Sequence, residues 1–316
     1  MRVSRRTFLE QSAIGAASVA LVASARTTLR AAPLGLPIGS QTYPHRARIA
    51  SGDFAGLLKD MKAIGIDVVE LCNPTYNEFK ILADGKQTRK ILDDNGMKCL
   101  SAHFSMNALR NDHQRQIDWA LQIGMTQMST ASLGGAVKDG ATTLDEVKRA
   151  ADEYNKIAAA AAKNNLAQAL HNEGFENSVL PDGRRTYFAL MEHLDPKLVR
   201  MQFQMSSARG LDINPISFFQ MYPGRFISLH LQGVNMNPPP PFVPPTAAGA
   251  AAPAEGGRGR GGRGGGGGGG YAVGSDDLEW GRIFQAARIG GIQNYFVEQT
   301  WPLTVLSVAF LKNLDV

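Results

Sequence analysis

The chain has 316 residues and a formal net charge of +5, and most of that excess lies in two segments. Residues 1–32 carry five arginines against Glu10, a net charge of +4, and residues 237–274 carry three arginines against Glu255, a net charge of +2, so about −1 remains on the body of the chain. A nucleic-acid-binding protein concentrates positive charge on its folded surface, so this distribution argues against that class and predicts no nucleic-acid partner.

The N-terminus has the layout of an export signal. Arg5 and Arg6 are followed by Phe8 and Leu9, and then by an uncharged stretch that ends in an Ala-Ser-Ala motif at residues 23–25. This order predicts a twin-arginine signal peptide over residues 1–32, and therefore a periplasmic or otherwise exported protein. The stretch is short and rich in small residues, and no later run reaches 18 apolar residues, so we predict no membrane span.

Short apolar runs alternate with helical patterns along the rest of the chain. Eight runs are predicted as strands, at residues 38–42, 66–71, 98–104, 127–131, 167–171, 201–205, 226–231 and 294–298. The stretches between them include predicted helices at 54–64, 110–123 and 144–164. This alternation is typical of parallel strands joined by crossover helices, and eight cycles predict a closed (β/α)8 or TIM barrel over residues 33–316.

Residues 237–274 interrupt the alternation between the seventh and eighth predicted strands. They contain four consecutive prolines at 238–241, an alanine-rich stretch, Gly-Arg repeats and a run of glycines at 264–270. Such a composition buries too little apolar surface to offset the entropy of ordering it, so we predict a disordered insertion. Without the signal and the insertion about 245 residues remain, which is the usual size of a TIM barrel.

Acidic and histidine residues end five of the predicted strands. In chain order they are Glu70, His103, His171, His230 and Glu298. The active site of a TIM barrel lies at the C-terminal ends of its strands, so we expect these side chains to converge. One histidine at a strand end is commonly a structural residue, but convergence from five strands favours a functional pocket.

Several segments together resemble the sugar phosphate isomerase/epimerase family, also described as xylose isomerase-like barrels. They are GIDVVEL at 65–71, HNEGFE at 171–176, YPGRFISLH at 222–230, LEW at 278–280 and YFVEQ at 295–299. Their order and spacing span nearly the whole predicted barrel apart from the insertion. The resemblance implies an enzyme that acts on a sugar or keto-sugar by isomerisation, epimerisation or a related elimination, and therefore a small carbohydrate as its partner.

The resemblance also implies a divalent metal held by residues of strands 5 to 8. Carried over by position, Glu176, His230 and Glu298 are the candidate ligands, and Ser206 stands where the family has an Asp on strand 6. A mixed carboxylate and imidazole set suits Mn, Mg, Co or Zn. A metal polarises a carbonyl and a neighbouring hydroxyl, and carboxylates then move a proton at the adjacent carbon. Glu176 and Glu298 are the predicted catalytic residues.

Four further residues are predicted to contact the substrate. Glu70 would orient it, while His103 and His171 would hold sugar hydroxyls or assist proton movement. Trp301 would stack on a sugar ring, with core packing an equally good interpretation. Arg225 precedes strand 7, which favours pairing at the base of the barrel over contact with an anionic group.

Two alternatives stay open. The replacement of the family Asp by Ser206, and the Gln232-Gly233 pair after His230, favour a catalytically degenerate carbohydrate-binding barrel. An abasic-site endonuclease on the same barrel needs a richer set of metal ligands and a basic face, and the sequence offers neither. The sequence leaves the choice between a monomer and a homo-oligomer open.

Overall fold

The computed structural model describes residues 32–237 and 270–316. Within them, parallel strands close into one barrel in chain order, as the alternation predicts. The strands are β1 Gly39–Gln41, β2 Val68–Cys72, β3 Lys98–His103, β4 Gln127–Thr130, β5 Ala167–His171, β6 Val199–Gln204, β7 Phe226–Leu231 and β8 Asn294–Val297. The barrel closes where β1 pairs with β8, with Gly39 opposite Phe296 and Ser40 opposite Val297.

Helices surround the barrel and follow its strands. They are α1 Arg46–Ala50, α2 Phe54–Ile64, α3 Gly85–Asp94, α4 Met106–Ile123, α5 Leu144–Ala162, α6 Thr186–His193, α7 Pro215–Met221, α8 Trp280–Gly290 and α9 Trp301–Leu311. Helix α4 begins four residues before the predicted start because the Ser105 hydroxyl caps it by accepting from the Ala108 backbone N–H. Helices α2, α4 and α8 end at left-handed glycines, which stop a helix without steric cost.

Alternation along each strand decides which side chains face the barrel interior. Successive side chains of a strand point to opposite faces of the sheet, so residues two positions apart in the sequence point to the same face. In β6, Gln202 and Gln204 contact side chains of other strands across the barrel, whereas Phe203 packs among the phenylalanines of α7. All parallel strands end at the same rim, which brings their last inward-facing residues together.

The segment that joins β7 to β8 contains the insertion predicted over residues 237–274, and both ends of this segment are folded. Tyr271 pairs with Gly233, and Ala272 and Val273 are buried, so residues 270–274 belong to the folded body and the predicted boundary at 274 is too late. The physical reason is that these residues are apolar enough to pack, unlike the glycine run before them. On the other side, the Asn237 backbone N–H donates to Asp277. Residues 238–269 lie outside the described residues.

The predicted signal peptide also lies outside the described residues, except for Ala32. In the part of the chain that the structure describes, none of the helices combines the length and the apolar character that a membrane crossing requires.

Candidate active site

Five strand-end residues meet inside the C-terminal rim of the barrel. Glu70 lies in β2, His103 ends β3, His171 ends β5, His230 lies in β7 and Glu298 directly follows β8. The rings of the three histidines lie 4.4 to 5.2 Å apart, measured between centroids. All five side chains are buried.

Glu70 is the hydrogen-bonding centre of this cluster. Its Oε1 lies 2.5 Å from Nε2 of His230 and 3.2 Å from Nε2 of His103, and its Oε2 accepts from Nε2 of Gln202 at 2.8 Å. Burial opposes the charge on Glu70, but the imidazoles of His103 and His230 outweigh burial and hold the pKa of this carboxyl well below its usual value. Glu70 is therefore a fully hydrogen-bonded carboxylate.

Glu298 accepts a hydrogen bond from the second ring nitrogen of His230. Its Oε2 lies 3.1 Å from Nδ1 of His230, and it also accepts from Nε2 of Gln204 at 2.7 Å and from Nε2 of Gln232 at 3.1 Å. Burial lowers the pKa of His230, but Glu70 and Glu298 outweigh it and raise that pKa to about 10. His230 thus links two buried carboxylates that come from opposite ends of the chain.

His171 differs from the other two histidines because neither ring nitrogen has a hydrogen-bond partner among the described residues. The side chain is nevertheless 0% exposed. Its Nε2 lies 3.6 Å from Oε1 of Glu173, which is too long for a hydrogen bond. Burial, and secondarily the charge of His230, lower the pKa of His171 and keep it neutral with a free lone pair. Buried polar groups of native proteins are nearly always paired, so this imidazole calls for a ligand.

Glu173 is the open member of the cluster. Its side chain is 52% exposed, whereas those of Glu70 and Glu298 are at most 5% exposed. Partial burial opposes its charge, but the nearby imidazoles, above all that of His171, lower the pKa of Glu173 to about 2. This carboxylate is ionised at neutral pH and is accessible to a molecule that binds at the rim.

The cluster contains two overlapping groups of metal-ligand atoms within 4.8 Å of one another. One group is His103, His171 and His230, and the other is His171, Glu173 and Glu298. His171 belongs to both. At the same rim, the buried Oε1 of Gln204 also lacks a hydrogen-bond partner within the part of the chain that the structure describes. Unpartnered acceptors beside carboxylates are what a cation satisfies, so the residues present fit a divalent metal.

Two residues assigned from the resemblance lie elsewhere. Glu176 accepts a hydrogen bond from the Ser132 hydroxyl at 2.8 Å and from the Leu133 backbone N–H at 2.7 Å, and it belongs to neither group of ligand atoms. Burial raises the pKa of Glu176 to about 8, against these hydrogen bonds. Ser206 lies in a 3-10 turn beyond β6, and Gln204 is the last residue of the strand. The strand-6 residue that contacts Glu298 is therefore Gln204 and not Ser206.

Trp301 and Arg225 complete the positions named from the sequence. Trp301 begins α9, is half-buried, and packs edge-to-face on His45 with ring centroids 5.7 Å apart. Its predicted contact with a sugar stays a prediction. Arg225 is buried and donates to the main-chain carbonyls of Met191, Leu194 and Val199, so it holds the base of the barrel.

Gln202 and Gln204 were not predicted from the sequence as members of the cluster, and Gln232 was named only as a sign of a degenerate site. Gln202 accepts from Nε2 of His103 at 2.9 Å, while Gln204 and Gln232 donate to Glu298. The signal was present in β6, where two glutamines alternate with apolar residues. A period of two in a barrel strand that is otherwise buried marks polar side chains that face the interior.

The sequence matches no family model and no curated protein. The structure is similar to a sugar phosphate isomerase/epimerase from Parabacteroides distasonis ATCC 8503, with a TM-score of 0.67 and 17% identity over 89% of this chain and 97% of that one. The chain has the fold of these barrels. A probable 3-DHS dehydratase from Bacillus anthracis gives 0.61 at 12% identity, covering 89% of this chain and 100% of that one.

A xylose isomerase-like TIM barrel protein from Mycobacterium smegmatis, solved in complex with magnesium, is also similar. Its TM-score is 0.57 at 14% identity, and the match covers 89% of this chain and 97% of that one. At these identities the likeness is one of fold, so the chemistry has to be argued from the site itself.

Proposed function

We propose that this chain is a metal-assisted isomerase or epimerase of a sugar or keto-sugar, with the cation held by His171, His230 and Glu298. The observation that carries this proposal is His171, a fully buried imidazole whose two nitrogens have no hydrogen-bond partner among the described residues. It shares one group of ligand atoms with His103 and His230 and the other with Glu173 and Glu298. The unpartnered Oε1 of Gln204 supplies a fourth donor. His230 and Glu298 keep the ligand roles that the resemblance gives them, while His171 replaces Glu176.

The contact of Glu70 with His230 supports the ligand role of His230. A metal-binding histidine nearly always gives its other ring N–H to a carboxylate, which fixes the ring and its tautomer. Here Glu70 accepts a hydrogen bond from Nε2 of His230, and Nδ1 of the same ring lies 3.1 Å from Oε2 of Glu298. Two donor atoms that each lie about 2.1 Å from one ion are about 3 Å apart when they meet it at a right angle.

A bound divalent cation would polarise the carbonyl and the neighbouring hydroxyl of a sugar. The chain must then move a proton at the carbon next to the carbonyl, which is the carbon that bears this hydroxyl. Glu173 is placed for this step because its carboxylate is half-exposed at the rim and lies 3.6 Å from Nε2 of His171. His103 would hold a sugar hydroxyl. Its ring is oriented by the contacts of Nε2 with Gln202 and Glu70. Glu176, bound by Ser132 and Leu133, would position the neighbouring loops.

The test is exchange of substrate hydrogen with solvent. Purified protein loaded with Mn²⁺, Co²⁺ or Zn²⁺ is incubated with a panel of sugars and 3-keto-sugars in D2O, and deuterium incorporation next to the carbonyl is followed by NMR. We expect exchange in the parent protein and loss of it in Glu173→Gln and His171→Ala. The exposed Glu192→Gln variant is the matched control.

Unchanged exchange in His171→Ala would remove the proposed metal site. Thermal stabilisation by a sugar, with no exchange in any member of the panel, would favour the second candidate function, a carbohydrate-binding barrel without catalysis. This second candidate is favoured by the side chains around Glu298. Gln204 and Gln232 are amides, and they contact Glu298 where a catalytic site would carry charged groups.

We further propose that residues 1–32 export the protein to the periplasm by the twin-arginine route. The support is the Arg5-Arg6 pair with its apolar, small-residue continuation. Replacing both arginines by lysine should retain the protein in the cytoplasm when cell fractions are compared. Equal periplasmic amounts of the two forms would contradict the proposal.

A further inference from the structure

The donor atoms of the proposed cation site are mostly neutral. His171 offers an imidazole nitrogen, and His230 offers Nδ1 once a cation displaces the proton that Nδ1 donates to Glu298. Gln204 offers an amide oxygen, and Glu298 is the one buried carboxylate among the four. The set therefore carries a single formal negative charge, from Glu298.

Glu70 cannot add a second charge as a direct ligand. Its Oε1 accepts from His230 and lies 3.2 Å from Nε2 of His103, and its Oε2 accepts from Gln202. Both oxygens are thus committed to groups of the barrel wall. Glu70 acts on the cation only through His230, as the carboxylate that orients this imidazole.

Glu298 is a weakened oxygen donor for a similar reason. Its Oε2 accepts amide hydrogen bonds from Gln204 and Gln232 in addition to its contact with His230. Each of these hydrogen bonds withdraws electron density from Oε2, the oxygen that lies 3.1 Å from Nδ1 of His230. Glu173 carries a full charge, but it is half-exposed and shared with solvent.

Mg²⁺ and Mn²⁺ bind best to carboxylate, carbonyl and water oxygens, whereas imidazole suits Zn²⁺, Co²⁺ and Ni²⁺. We infer that this rim selects Zn²⁺ or Co²⁺ over Mg²⁺ and Mn²⁺, because His171 and His230 supply nitrogen where the harder ions need oxygen, and Glu298 is the one buried carboxylate of the set. The inference rests on the proposed function, since it concerns the same site. It separates this chain from the similar Mycobacterium smegmatis protein, which was solved with magnesium.

The experiment measures metal affinities directly. Chelator-stripped protein is titrated with Co²⁺, Zn²⁺, Mg²⁺ and Mn²⁺ by calorimetry, and the d–d absorption bands of Co²⁺ report its nitrogen ligands without any substrate. Most protein sites bind Co²⁺ more tightly than Mg²⁺. The decisive quantity is therefore how the ratio of the two affinities responds to a change of donor.

His171→Glu and Gln204→Glu each exchange a neutral donor for a carboxylate. We expect His171→Glu, which replaces a nitrogen donor by an oxygen, to lower the ratio of Co²⁺ to Mg²⁺ affinity by at least about tenfold and to alter the Co²⁺ spectrum. Gln204→Glu keeps an oxygen donor and adds a charge, so we expect it to lower the ratio by a smaller factor. Gln285→Glu, which adds the same charge at an exposed position of α8, should change neither. Circular dichroism and melting temperature establish that each variant is folded, and either variant alone suffices for the test.

The outcomes separate the two proposals. If none of the four ions binds the parent protein, the metal site of the proposed function is overturned together with this inference. If Mg²⁺ binds the parent protein within about tenfold of Co²⁺, or if the ratio is the same in both folded variants, the inference on selectivity is overturned while a metal site stands.

Discussion

Oε1 of Glu70 and Nε2 of His230 lie 2.5 Å apart although the two residues are 160 positions apart in the chain. The contact crosses the barrel interior from β2 to β7. It fixes which nitrogen of His230 faces Glu298, so the orientation of a proposed metal ligand depends on a residue that is not itself a proposed ligand of the cation. The first prediction below follows from this indirect action of Glu70.

Replacing Glu70 by Gln should weaken metal binding without removing a ligand. The amide keeps the shape of the side chain but loses the charge that fixes and polarises His230. Loss of such a partner typically costs about 10- to 100-fold in metal affinity. Calorimetric titration of Glu70→Gln with Co²⁺ measures the change.

Glu176→Gln is the matched control for that experiment, because Glu176 is also a buried carboxyl but is bound by Ser132 and Leu133. Its Co²⁺ affinity should equal that of the parent protein. A large loss of affinity in Glu176→Gln, with Glu70→Gln unaffected, would return Glu176 to the ligand role that the resemblance gave it.

The same Glu176→Gln variant should change how stability depends on pH. The pKa of Glu176 is about 8 in the folded protein, above the 4.5 of an ordinary glutamate. Between these values the folded protein keeps a proton that the unfolded chain releases. Its unfolding free energy therefore falls as the pH rises from 4.5 to 8, by up to about 1.4 kcal/mol per pH unit.

Glutamine stays neutral, so the variant should lack this part of the slope. We expect its stability relative to the parent protein to increase from pH 5 to pH 8 and then to level off, as measured by urea unfolding. The exposed Glu192→Gln variant should follow the parent curve. Parallel curves for Glu176→Gln and the parent protein would show that Glu176 is already ionised at pH 5.

Arg225→Met should destabilise the barrel without altering metal affinity. The buried guanidinium donates to three main-chain carbonyls, and methionine leaves all three without that partner. We expect a loss of about 3 kcal/mol in unfolding free energy. Arg288→Met, at an exposed position of α8, is the control and should lie within about 0.5 kcal/mol of the parent protein. A similar small effect for Arg225 would contradict its role at the base.

Gly39→Ala tests the closure of the barrel. A Cβ at Gly39 would lie 2.5 Å from the Tyr295 carbonyl oxygen and 2.6 Å from the Phe296 ring, at the seam between β1 and β8. Overpacking of this kind costs about 1 to 3 kcal/mol. Gly210→Ala, whose Cβ would lie 3.7 Å from the Ser207 carbonyl oxygen, should have little effect on urea unfolding. Equal midpoints for the two variants would mean that the seam adjusts freely.

The barrel and the meeting of Glu70, His103, His171, His230 and Glu298 could be predicted from the sequence because both follow from periodicity. Eight strand and helix cycles specify closure, and closure places every strand end on one rim. Positions beyond a strand end are a different matter. Glu176 and Ser206 lie in turns after β5 and β6, where the course of the backbone depends on tertiary contacts such as those with Ser132.

The glutamines were missed for a chemical reason. Amides carry no charge and are common on protein surfaces, so Gln202 and Gln204 attract no notice until the strand that carries them is known to be buried on both faces. Their partners across the barrel come from β2, β3 and the end of β8. Such contacts between distant parts of the chain are specified by the register of the whole barrel.

The antiparallel bridge between Gly233 and Tyr271 has a consequence for engineering. Together with the contacts of Val234 with Asp276 and of Asn237 with Asp277, it ties both ends of the intervening chain to the folded body. The cost of closing a loop grows by only about 0.6 kcal/mol for each doubling of its length. We therefore expect that a reporter or a second domain can be inserted between residues 237 and 270 without changing the register of β8.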